Sequence, residues 1–281
     1  MRGMPARKRE RGISDVVAFV LTFSIIIFGV GLVSTGAFDS LVSFSDSQQI
    51  ENSERGLEAA AASLDNINQN NDTYRQFDVG VAGGTLFYNT TEIEVTVEDE
   101  SGGTEYDETI PIDALEKRFE DDNVALTLEG GGVFRDPSAS ARYKPPIRCG
   151  SADGQRIGDD VAIISLLNMT TDDSIRKSDS FDNDVAISPT RVLDRAPLGA
   201  NSEVARLDAT LVAQERKYVD ISDDLDVTVD VSGTASPEQW SIYFDNAGWS
   251  DDPNDQFSCE AETALVRITT VEISRTETDS T

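Results

Sequence analysis

The chain has 281 residues, with 52 Asp and Glu against 23 Lys and Arg, a formal net charge of −29, two cysteines and no histidine. So negative a surface repels a phosphate backbone, which excludes nucleic acid as a partner, and the lack of histidine excludes the usual Ser–His–Asp and Cys–His machinery. Aspartate outnumbers glutamate 32 to 20 and only 5 of the cations are lysine; such self-repulsion strains a compact state unless molar salt shortens the Debye length to about 3 Å, which points to an extreme halophile, with an acidic surface protein of a mesophile as the alternative.

A basic head comes first: Arg2, Arg7, Lys8, Arg9 and Arg11 against the single acid Glu10. Residues 16–38, VVAFVLTFSIIIFGVGLVSTGAF, then run without a charge. At about 1.5 Å per residue, roughly 20 apolar residues cross a hydrocarbon core about 30 Å thick. Positive charge beside a span stays cytoplasmic, so residues 39–281 are expected outside. Residues 13–281 carry 18 basic and 51 acidic side chains, a net −33. Ser14 is the expected cap of a helix opening at Asp15, whose carboxylate suits the positive end of the dipole. Gly29, Gly31 and Gly36 soften the span without stopping it.

Beyond the span, QQIENSERGLEAAAASLDNINQN continues in helical period. Ile50, Leu57 and Leu64 stand seven apart, with Ala60, Ala61 and Ile67 on the same stripe. A stripe of this kind must bury against something, because the isolated helix is marginal in water. The residues Asn70, Asn71 and Asp72 end it. The period then changes to two. Phe77, Val79 and Val81, a Gly83–Gly84 turn, and Leu86, Phe87 and Tyr88 predict a hairpin. A second hairpin runs from Ile93, Val95 and Val97 through Ser101–Gly102–Gly103 into TEYDETIPI. Further predicted strands are VALTLEG, a central VAIISLLNM, VARLDATLVAQ, LDVTVDV and ALVRITTVEISR. Ser236–Pro237–Glu238 opens a short helix carrying Trp240, Tyr243 and Phe244.

The expected organisation is a basic cytoplasmic leader (1–12), a transmembrane helix (13–38), an amphipathic helical stalk (39–71) and an acidic β-rich extracellular domain (72–281). The fold class is α+β: a long N-terminal transmembrane helix followed by a mainly antiparallel head.

Chemistry is sparse. GxSxG, P-loop, GxGxxG and HExxH are absent, and Gly130–Gly131–Gly132 reads as a turn rather than a phosphate cradle. No catalytic residue, metal site or cofactor is expected; DSFDNDV, with Asp179, Asp182 and Asp184, lacks the spacing of a calcium loop. Sequons at Asn71, Asn89 and Asn168 are possible glycosylation points. Cys149 and Cys259 either pair in an oxidising exterior, closing a loop of about 110 residues, or remain free buried thiols.

Arg11–Gly12–Ile13–Ser14, a basic residue and a glycine before a hydrophobic helix, resembles the processing site of archaeal type IV prepilins and archaellins. That resemblance implies cleavage by a prepilin peptidase between Gly12 and Ile13, with the helix kept on the mature subunit. RGISDVVAF, QQIENSERGLEAAAASLDNI, GGGVFRD with YKPPI, and SPEQWSIYF are together similar to an uncharacterised family of haloarchaeal pilin-like membrane proteins. The family implies a place and a topology rather than a reaction. Asp15 resembles the acidic residue near the start of bacterial pilin helices, although its position differs; helix capping is the competing role.

The expected function is a pilin-like, single-pass structural or adhesive subunit of the cell surface. Its expected partners are membrane lipid, a prepilin peptidase and identical or related subunits, which would pack through Gly29, Gly31, Ser34, Thr35 and Gly36. The alternatives are a non-polymerising anchored binding protein, or a secreted soluble protein cut after Ala37.

Overall fold

A computed structural model describes residues 11–70, 72–80, 84–119, 123–137, 141–150, 161–171, 190–193, 204–252 and 255–275. It has a helical unit, Met1–Gln48, and a β-rich unit, Gln49–Thr281.

Helix α1 (Arg11–Asn70) is the first element. It starts before Ser14, so Ser14 is not its cap, and Asp15 lies past the first turn, where the dipole's effect has faded. Side chains in its first part are described for residues 16–31. There, the large apolar side chains between Val16 and Val30 are 54–69% exposed, and the Thr22 hydroxyl donates to the Ala18 carbonyl at 2.9 Å. No helix among the described residues is long and apolar enough to cross a membrane.

From Gln49 on, the same helix is the centre of the β unit. The predicted stalk is therefore not a separate element. Its stripe, Ile50, Leu57, Ala60, Ala61, Leu64 and Ile67, is no more than 5% exposed. Such a stripe is stable only under cover, and two sheets provide it.

The strands that follow are β1 (Tyr74–Gly80), β2 (Thr85–Asn89), β3 (Glu92–Asp99), β4 (Thr104–Pro111), β5 (Ala114–Phe119), β6 (Val124–Glu129), β7 (Gly132–Asp136), β8 (Ile147–Gly150), β9 (Val161–Thr171), β10 (Thr190–Leu193) and β11 (Val204–Asp230). Helix α2 (Pro237–Ala247), β12 (Ser250–Asp252) and β13 (Gln256–Arg275) complete the order.

The large sheet runs β4-β3-β11-β13-β9-β8, with β1 also on β11 and β12 on β13; the small sheet runs β10-β2-β5-β6-β7. Every described pairing is antiparallel except β13 with β9, in register from Thr263↔Val161 to Ile273↔Thr171. The fold is α+β and mainly antiparallel, as the sequence predicts.

The helical stripe packs between Phe77, Leu167, Leu207 and Ile273 of the large sheet and Leu86, Leu115, Leu126 and Val133 of the small one. A second core lies under α2. There Trp240, Tyr243 and Phe244 meet Phe134 and the strands β3, β4, β9, β11 and β13.

Several predictions of local structure are corrected. The β1–β2 hairpin does not form: β1 pairs with residues 204–210 of β11, and β2 with β5 and β10 in the other sheet. VARLDATLVAQ and LDVTVDV are two ends of one strand, β11, which runs beside β13 with register shifts between Leu211 and Ala213 and between Asp220 and Leu225. Among the described residues no strand covers the outer edge of β11 between Leu211 and Asp224. Ser236 does stand at the start of α2, but its hydroxyl makes no cap bond. Instead its carbonyl accepts from the Gln239 and Trp240 amides. The β3–β4 hairpin is as predicted, with Ile93 opposite Ile110 and Val95 opposite Glu108.

Candidate functional site

Four segments quoted above for a shared resemblance meet in the β unit. Gly130 and Gly131 form a two-residue turn between β6 and β7 with φ of +58° and +91°, the left-handed region that glycine enters without steric cost. A Cβ on Gly130 would stand 3.0 Å from the Trp240 ring, and one on Gly132 3.0 Å from Pro145. The triple glycine is thus a turn, as expected, and also a seat for the α2 tryptophan and the Pro145–Pro146 segment. Tyr243 of α2 donates to the Ile147 carbonyl at 2.5 Å, with the Pro145 carbonyl at 3.2 Å. Arg135 in VFRD reaches back to Glu54 of α1 at 3.1 Å, where Arg142 also binds at 3.2 Å. Two cations on one carboxylate fix the helix in rotation and height against the small sheet.

Three buried polar groups lock the same assembly. The Glu129 carboxylate, fully buried, accepts from the Ala235 amide at 2.7 Å and the Trp240 indole at 2.9 Å. Burial raises its pKa, partly opposed by these donors. Lys117 on β5 is fully buried. Its ammonium donates to Ser53 of α1 at 2.6 Å and to the Gly80 carbonyl at 2.7 Å, and it lies 4.6 Å from the centre of the Phe119 ring. At the end of α1, Asn68 bonds Ser165 at 3.0 Å and accepts from the Thr269 hydroxyl at 2.7 Å. The Asn68 carbonyl, one of the helix's orphan acceptors, takes the Gln214 amide at 3.1 Å.

Lys117 gives a pH test. Burial lowers its pKa from 10.5 to about 8. The folded state therefore binds fewer protons than the unfolded chain between those values, and stability rises with pH across that window. The penalty is complete below pH 8. In Lys117→Met the rise between pH 8 and 10.5 disappears, read as the difference between wild-type and variant denaturation midpoints at pH 8, 9 and 10.

The predicted site residues are placed as follows. Arg11, Gly12 and Ile13 lie in the first turn of α1, inside the helix rather than ahead of it; their side chains and those of Asp15 and Gly36 are outside the described residues. A Cβ on Gly29 or Gly31 would meet nothing within 4 Å, so neither glycine serves packing within its own unit. Asn71 is outside the described residues, as are Asp179, Asp182 and Asp184. Asn89 is half-buried at the end of β2 and donates to Glu116 at 2.5 Å. Asn168 is a correction: it sits inside β9 at 6% exposure, where a glycan has no room. Cys149 of β8 and Cys259 of β13 are joined in a disulfide with Cα atoms 6.5 Å apart.

Beside that disulfide opens a cleft of about 570 Å³, lined by Asp65, Tyr143, Lys144, Pro146, Arg148 and Ile163 among others. Its floor is β8 and β9, and one wall is the end of α1. Burial raises the pKa of Tyr143, with Asp65 adding to the effect. Sequence reasoning passed over Lys117, Glu129, Lys144 and Arg148. A lysine inside the run LEKRF reads like any solvated strand residue, and only its position between α1 and β1 buries it.

No curated protein and no solved structure matches the chain. A family match spans residues 11–277, covering the helix and nearly all of the β unit. The chain belongs to that family, described as a family of unknown function (DUF7289).

Proposed function

We propose that the chain is a type IV pilin-like, single-pass membrane subunit of the cell surface of a halophilic archaeon, with a structural or adhesive rather than a catalytic role. Residues 16–38 lie in lipid, the N-terminus is cytoplasmic and the β unit is extracellular. The observation that carries this reading is the charge-free run behind five cations, whose apolar side chains between Val16 and Val30 are more than half exposed. Contiguous apolar surface of this size needs lipid or protein cover.

The processing step falls between Gly12 and Ile13. Once cut, the helix remains on the subunit, free to leave lipid for a filament interior where Gly29, Gly31 and Gly36 allow neighbouring helices close approach. Asp15, third in the mature chain, would then sit near a new terminal amine, and a charge there needs such a partner.

Intact-mass analysis and N-terminal sequencing of protein taken from membranes test the reading. The expected first residue is Ile13. A chain beginning at Met1, or full-length protein in a vesicle-free cytosolic fraction, overturns it. A first residue of Phe38 in culture medium would replace it with the secreted soluble form, and a monomer that never polymerises with the anchored binding protein.

A further inference from the structure

Most described cations of the β unit have polar partners. Arg55, Arg75, Arg118, Arg135, Arg142 and Arg206 each sit against a carboxylate, and Lys117 is buried with its partners. Lys144, Arg148, Arg216 and Arg267 make no ion pair among the described residues, although the chain holds 52 carboxylates. Lys217 also makes none, but it alternates with its neighbours onto the opposite face of β11.

The four cations gather on one side of the large sheet. Arg148 on β8 is opposite Ile163 on β9, Ile163 is opposite Leu265 on β13, and Leu265 is opposite Tyr218 on β11. Directly opposed residues share a face, so these four form a row. Two residues along, Arg267 and Arg216 face each other across β13 and β11. Like charges so placed repel, and burial together with Arg216 lowers the pKa of Arg267. Lys144 lines the cleft that Arg148 enters. Asp65 at the cleft and Asp220 on the same face stand near these cations, and Arg216 also borders a surface groove with Glu105, Asp107, Glu108 and Glu215 of its own chain. Tyr218 at 60% exposure and Ile163 at 37% give the patch an apolar floor.

A coat this acidic keeps identical heads apart, except where one of them presents cations. The complementary surface is on the chain itself. The outward face of the β3–β4 hairpin carries Glu94, Glu98, Glu105 and Asp107, all exposed, on the edge strand and its neighbour. We propose that the face bearing Lys144, Arg148, Arg216 and Arg267 docks the acidic outer face of the β3–β4 hairpin of a second copy of this chain. A patch meeting a different patch is a heterologous contact, the kind that propagates into filaments. Contact ion pairs survive molar salt because screening there acts beyond about 3 Å. This inference rests on the assembly reading above.

Lys144 supplies a primary amine for the test. Full-length chains, unlabelled and ¹⁵N-labelled, are mixed in membranes and treated with a carbodiimide, which joins an amine to a carboxylate in contact. The expected product is a mixed-isotope cross-link between the Lys144 peptide and residues 92–108. Arg216→Glu with Arg267→Glu is expected to lower its yield at least tenfold, and Glu94→Arg with Asp107→Arg added to that variant to restore it. Retention of the Cys149–Cys259 bond checks folding.

Protein that begins at Ile13 and oligomerises, yet gives no inter-copy product at Lys144, overturns the docking alone. Protein that begins at Met1 and stays monomeric overturns the assembly reading with it. Retention on an immobilised acidic polysaccharide, lost in the double glutamate variant, without the inter-copy product would assign the face to a glycan instead and overturn the proposal.

Discussion

Leu57→Ala and Leu64→Ala are each expected to destabilise the β unit by about 2–5 kcal/mol. Both side chains are fully buried, and both lie on a helix held between two sheets rather than on one. A helix with a sheet on a single side can settle into a cavity. Here movement toward one sheet opens a gap at the other, so the site collapses poorly and the cost lies toward the upper end. Ala62→Ser, on the exposed side of the same helix, is expected to change stability by less than about 0.5 kcal/mol. Chemical denaturation at high salt, followed by the fluorescence of Trp240 and Trp249, measures all three. Equal small effects for Leu57, Leu64 and Ala62 would mean that the helix is a stalk after all, outside the core.

Cys149→Ser with Cys259→Ser is expected to cost about 4–5 kcal/mol. The residues are 110 apart in sequence, and in the chain-entropy model a closed loop of that length removes about this much freedom from the unfolded state. The bond joins the short edge strand β8 to β13, and it borders the cleft. Intact mass with and without reductant reads the bond directly, as a gain of about 2 Da per reduced disulfide, and denaturation of the double serine variant reads its contribution. An unchanged midpoint would place residual structure in the unfolded chain around both cysteines.

What the sequence makes legible is what depends on neighbours in the chain. The stripe at 57, 60, 61, 64 and 67 is periodic, so its buried face can be read without knowing what covers it. The β3–β4 and β6–β7 hairpins have glycine turns whose two sides pair with each other. Gly83–Gly84 looks the same locally, yet its two flanks part: β1 pairs with residues 204–210, and nothing within reach of the turn records that preference. The middle of β11 fails for a different reason. In residues 215–220 only Val219 is buried, and among the described residues only β13 borders the strand between Leu211 and Asp224, so no alternation joins VARLDATLVAQ to LDVTVDV.

Charges are the least legible. Glu54, Glu129 and Lys117 are drawn from the same alphabet as the solvated coat, and only the meeting of α1 with β5, β7 and α2 separates them from it. The arginines that make no ion pair among the described residues could not be seen from composition either, since pairing is decided across strands.

The large sheet has its spine in its final strand. β13 holds β11 on one side and β9 on the other, and β9 was made about a hundred residues earlier. Until residues 256–275 leave the ribosome, neither neighbour has β13 beside it, and α1 lacks the cover of Val271 and Ile273. Contacts so distant along the chain form slowly. Vectorial synthesis thus leaves β9 and β11 unjoined until the strand between them is made.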